Sequence, residues 1–126
     1  MIKKEKNILL DKSEAFAGRI IKLYQFLTTQ KKEQTIAKQL LRSGTSIGTN
    51  IAESRNAQST ADYLSKQSIA LKEADETAYW IKNLYVGGYL NDKEYESIST
   101  DCEELVRMLV ASVKTLKQKL GIPSKQ

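Results

Sequence analysis

Cys102 is the only cysteine in the sequence, and there is no histidine. A thiolate nucleophile needs a neighbouring base or cation, and the commonest base is missing. Glu73, Asp75 and Glu76 crowd three carboxylates into four positions. A di-iron bundle would require Glu-x-x-His pairs, so these acids read as ion-pair partners. Ser43, Thr45 and Ser46 lack a partner base, and Gly44 and Gly48 do not follow a strand as a phosphate-cradling loop would. No catalytic, metal-binding or cofactor-binding residue is expected, and neither is an enzyme.

The elements that position these residues are helices. Apolar residues make up 40% of the chain, with six glycines and one proline, Pro123, too few breaks for an all-β protein. Helices are expected at about 11–29, 33–56, 59–86 and 92–120, between a basic arm at 1–10 and a tail at 121–126. Asp11 with Glu14 has capping-box spacing, with Ser13 as a rival cap; Ser59 with Asp62 and Asn91 with Glu94 repeat the pattern. In the last helix Tyr95, Ile98, Cys102, Leu105, Leu109, Ser112/Val113 and Leu116 recur in steps of three and four, which places Cys102 in a core seam.

The stretch from Arg42 to Glu53 is unusual for a helix interior, since Gly44 and Gly48 should each cost about 1 kcal/mol relative to Ala. Spacing at about 100° per residue puts Ile36, Ala37, Leu40, Leu41, Gly44, Ile47, Gly48, Ile51 and Ala52 on one side. Lys38, Gln39, Arg42, Ser43, Thr45, Ser46, Thr49, Asn50 and Glu53 fill the other. Gly44, Gly48 and Ala52 form a line of small residues suited to close helix packing. The third helix should bury Tyr63, Gln67, Ala70, Leu71, Ala74, Ala78, Ile81 and Tyr85. Ile69 and Trp80 fall nearly opposite, roughly 16 Å apart along the axis, and mark a candidate subunit contact.

Short connections make this an all-α, antiparallel up-down-up-down four-helix bundle. Pairing about the 57–58 turn sets residue i beside residue 115 − i, so Arg42 should meet Glu73 and Gln39 should meet Glu76. The same topology gathers Lys3, Lys4, Lys6, Lys12, Arg55, Lys66, Lys114, Lys117, Lys119 and Lys125 at one pole. Opposing them are Glu5, Asp11, Glu14, Glu53 and Asp62, leaving ten minus five, or +5, of the chain's net +5. Nothing in the sequence reads as a signal peptide or as the roughly 20 apolar residues of a membrane span. A cytoplasmic protein without a membrane partner is expected.

The run R-S-G-T-S-I-G-T-N-I-A-E at 42–53, with I-A-L-K-E-A-D-E-T-A-Y-W-I at 69–81, resembles the bacterial proteins associated with intervening sequences of 23S ribosomal RNA genes. The similarity runs over about residues 8–120. Signature positions then fall on Arg42, Ser46, Ile47, Asn50, Ile51, Ala52 and Glu53, and on Glu73, Glu76 and Trp80. Ser54 stands where the family often has Gly or Ala. The resemblance implies a homopentameric ring of parallel bundles without known enzymatic activity. It also implies a distant likeness to the accessory variability determinant of diversity-generating retroelements, a basic pentamer that works with a reverse transcriptase and nucleic acid.

Two functions follow as expectations. One is non-specific RNA or DNA binding by a non-enzymatic oligomer through the basic pole, principally Lys3, Lys4, Lys6, Lys12, Arg55, Lys114, Lys117 and Lys119. The other is a scaffold or accessory subunit for a protein partner such as a reverse transcriptase.

Overall fold

The structure, a computed structural model, describes residues 7–123. Four helices follow one another: α1 (Ile8–Thr29), α2 (Thr35–Ser54), α3 (Thr60–Val86) and α4 (Asp92–Lys119). Connections of five residues each, 30–34, 55–59 and 87–91, force consecutive helices to run antiparallel. Cross-helix contacts agree for every neighbouring pair. Gly44 faces Ile20 and Gly48 faces Ser13; Ser43 meets Thr77 and Ser54 meets Gln67; Cys102 meets Ala74 and Ser112 meets Gln67. Lys12 meets Glu104 and Arg19 meets Asp101, closing the square between the first and last helices. That α1–α4 seam is the loosest of the four.

The helix ends are set by local hydrogen bonding. Asn7, with an extended backbone, caps α1 by accepting from the Leu10 amide at 2.9 Å. The helix therefore begins ahead of Asp11, and the basic arm expected at 1–10 gives up residues 8–10 to α1. Asp11, the expected cap, lies inside the helix, and its rival Ser13 is buried, donating to the Leu10 carbonyl. α2 starts two residues later than expected, with the Glu33 carboxylate accepting from the Ala37 amide at 2.8 Å, and it ends at Ser54. Ser59 and Asn91 cap α3 and α4 as anticipated, Asn91 through a complete capping box. Both of those helices finish in the same way. A left-handed glycine, Gly88 (φ 86°) or Gly121 (φ 69°), lets the following amide reach back to Leu84 or Lys117.

The core fills the centre of the square, led by Phe16, Ile20, Leu27, Leu40, Ile47, Ile51, Ile81, Leu84, Leu105 and Leu109. On α4 the buried residues are the expected series from Ile98 to Leu116, with Val113 rather than Ser112 inside and Tyr95 half-buried. On α3 the buried line is Gln67, Ala70, Ala74, Thr77, Ile81 and Leu84, also alternating three and four. It is turned toward Thr77 and Leu84 from the expected arc, leaving Tyr63, Leu71, Ala78 and Tyr85 half-buried. The cause is a buried pair of hydroxyls. Ser43, expected on the outer face of α2, is fully buried 2.9 Å from Thr77. Gly44 and Gly48 do provide close approach, to α1, but Ala52, the third of that line, is exposed.

Candidate nucleic-acid interface

Two polar ties lie inside the bundle and fix how its helices slide. Gln67 is fully buried and bonded at both ends of its amide. Its Nε2 donates to Ser54 Oγ on α2, and its Oε1 accepts from Ser112 Oγ on α4, each at 2.9 Å. Ser54 passes its own proton to the Ile51 carbonyl at 2.6 Å. The second tie joins Ser43 and Thr77, with the Thr77 hydroxyl 2.7 Å from the Glu73 carbonyl. Among the described residues no buried side-chain polar atom is left without a partner. Such ties disfavour slipped registers, because a slip would strand several polar groups at once.

On the outer face of the α2–α3 seam, Arg42 reaches both Glu73, at 3.4 Å, and Glu76. Glu76 also accepts from the Trp80 indole nitrogen at 3.3 Å. The expected Gln39–Glu76 pairing gives way because α3 sits about five residues off the counted register: Ser43 meets Thr77 and Ser54 meets Gln67, so Glu76 falls beside Arg42. Trp80 does not stand opposite the core as expected. It is half-buried against it, with Tyr79 edge-on at 5.1 Å. Ile69 remains exposed at 39%, and the most outward aromatic is Tyr79 at 60%. The remaining marked residues of α2 serve this face locally. Ser46 donates to the Arg42 carbonyl, Asn50 to the Ser46 carbonyl, and Glu53 pairs with Lys66 at 3.3 Å.

Cys102 is fully buried, its thiol 3.5 Å from the Ala74 carbonyl. Burial, and secondarily the charges of Asp75 and Glu103, pushes its pKa up to about 12. At neutral pH it is a thiol packed as an apolar side chain. Among the described residues no group of three or more His, Cys, Asp or Glu side chains is arranged to hold a metal ion.

The basic pole divides into two groups. Lys12 is paired with Glu104 at 3.2 Å and Lys66 with Glu53. Arg55, Lys114, Lys117 and Lys119 form no ion pair with a described acid. Lys3, Lys4, Lys6 and Lys125 lie outside the described residues. Between the α2–α3 turn and the end of α4 opens a cleft of about 610 Å³. Arg55 and Lys119 line it with Ser59, Thr60, Tyr63 and Thr115, and no described carboxylate does. Sequence spacing does not reveal this cleft, since its walls come from segments about sixty residues apart, and Tyr63 reads there as a core residue. The hydroxyl pair Ser59-Thr60 beside Arg55 is the one local signal.

These features define a class: an antiparallel four-helix bundle with internal polar ties and a cationic end. The chain belongs to the family described as 23S rRNA-intervening sequence protein, whose model matches residues 5–111. It is also similar to a solved structure from Bacteroides thetaiotaomicron VPI-5482, a protein with unknown function from the S23 ribosomal protein family. The two share 48% sequence identity over 85% of this chain and 99% of that one, with a TM-score of 0.84. No curated protein matches the chain. No helix among the described residues is long and apolar enough to cross a membrane.

Proposed function

We propose that this protein is a non-enzymatic, self-associating bundle that holds the phosphate backbone of RNA or DNA at its cationic pole. One observation carries this reading: Arg55, Lys114, Lys117 and Lys119 share one end of the molecule and pair with no described acid. At the same end Lys12 and Lys66 are each paired with a carboxylate, as are Arg19 and Arg42 farther along the bundle. Cations gathered around a cleft without a described acid attract polyanions without reading sequence. The name of the family, which refers to a ribosomal RNA gene, is in keeping with such a ligand. A closed ring of like-oriented copies would set the poles on one rim and multiply the attraction. A pentamer of 14.2 kDa chains would scatter light as a particle of about 71 kDa (five times 14.2).

The test is binding to structured RNA across a salt series. Affinity should fall steeply with salt. Removing Lys114 and Lys117 should flatten the log–log slope by about one unit per lysine engaged. Undetectable binding at low salt, or binding indifferent to salt, would refute the reading.

A further inference from the structure

The cleft at the pole is more than a charged surface. It offers a phosphate and an aromatic base different things to touch. Arg55, just past α2, and Lys119, at the end of α4, both line it. Tyr63, one turn into α3, presents a half-buried ring in the same lining. Ser59, Thr60 and Thr115 add hydroxyls. Two other clefts of the bundle differ in charge. The α1–α2 cleft includes Glu14 and Glu53 without a cation and would repel a phosphate, while the α1–α4 cleft sets Glu94 beside Arg19 and Lys93. The polar cleft alone of the three has cations and no described acid.

At about 610 Å³ it falls in the range of small-molecule sites, far narrower than a duplex. A paired base has both faces stacked and cannot reach a tyrosine. An unpaired one can, while its phosphates lie at the cations. We infer that the cleft seats an unpaired nucleotide of a single-stranded nucleic acid, its base against Tyr63 and its phosphate between Arg55 and Lys119. This rests on the polyanion-binding reading above and narrows it from backbone attraction to single-strand selectivity.

The experiment compares a labelled, non-self-complementary single-stranded RNA with an RNA duplex of equal length, using the full chain and a salt series. The single strand should bind more tightly. Tyr63→Leu should weaken it about tenfold while leaving duplex affinity and the salt slope alone, and Tyr63→Phe should retain binding. Because Tyr63 is half-buried, the paired substitution Thr60→Glu, Thr115→Glu supplies a second arm at exposed positions. It should abolish the single-strand preference without changing the melting curve. Equal affinity for both RNAs, with Tyr63→Leu silent, would overturn the inference and leave the pole reading intact. No binding of either RNA at low salt would remove both.

Discussion

Ser112 of α4 donates its hydroxyl proton to Gln67 of α3 at 2.9 Å, and through that amide is joined to Ser54 of α2. One buried side chain thus spans three helices. Replacing it by alanine leaves a cavity and two hydroxyls short of a partner. Gln67→Ala should cost about 2–4 kcal/mol in urea unfolding. Gln67→Leu with Ser112→Ala, which fills the space and removes a stranded group, should recover part of that. If Gln67→Ala proves neutral, the tie has no energetic weight.

Arg42 is the corresponding tie on the outside, and its setting makes it weaker. The Arg42 side chain is about half exposed (49%), against 17% for Glu73 and 31% for Glu76. Solvent screening should therefore limit the coupling. A double-mutant cycle with Arg42→Ala and Glu76→Ala should return roughly 0.5–1 kcal/mol, shrinking at high salt. A salt-independent coupling of several kcal/mol would mean that the pair is buried, for example by another copy of the chain.

The three helix glycines should respond to alanine in different ways. At Gly44 a new Cβ would lie 2.8 and 2.9 Å from two carbons of fully buried Ile20. The overpacking, about 1–3 kcal/mol, should exceed the roughly 1 kcal/mol gained in helix propensity. At Gly18 nothing lies within 4 Å, so Gly18→Ala should raise stability by about 1 kcal/mol. Gly48→Ala should fall between, since it meets Ser13 Oγ at 3.2 Å. Thermal melts of the three variants that failed to follow this order would count against the α1–α2 packing.

Cys102 gives a pH-dependence with a defined sign. Its native pKa, raised to about 12, lies above the ordinary thiol value of about 8.5. Folding therefore favours the protonated thiol. That contribution is whole below the unfolded thiol's pKa and is lost as pH climbs through about 12. Stability should decline over that window less steeply for Cys102→Ala than for the parent chain. A thiol reagent at pH 8 should label the protein only after denaturation, and rapid labelling of the folded chain would contradict the burial.

What could be read in advance depended on whether chemistry and position pointed the same way. The α4 seam was legible because its buried positions are mostly apolar and spaced for one face. On α3 Gln67, Ala70, Ala74 and Ile81 were legible, but Thr77 looks like a surface residue until Ser43 is known to face it. The start of α1 was missed because Asp11 and Glu14 imitate a cap that Asn7 supplies. Counting around the turn named Glu73 for Arg42 but ran about five residues out of register, since it would not set Ser43 beside Thr77 or Ser54 beside Gln67. In the observed register Glu76 lies nearer Arg42, and the length of the Arg42 side chain brings in Glu73 as well. The cleft was invisible because Tyr63 and Lys119 are neighbours only after the fold has closed.

The loose α1–α4 seam bears on the order in which the molecule is made and undone. Three of the four interfaces are closed by connections of five residues, so their loop entropy is small and their contacts are local. The fourth must bring the first helix to the last, and the ion pairs Lys12–Glu104 and Arg19–Asp101 that span it are largely exposed. The α2–α3 hairpin, with Arg42 outside and Ser43–Thr77 within, is placed to form early, and the outer helices to dock upon it. In hydrogen exchange the amides of α1 should open before those of α2 and α3, making the α1–α4 seam the hinged edge of the bundle.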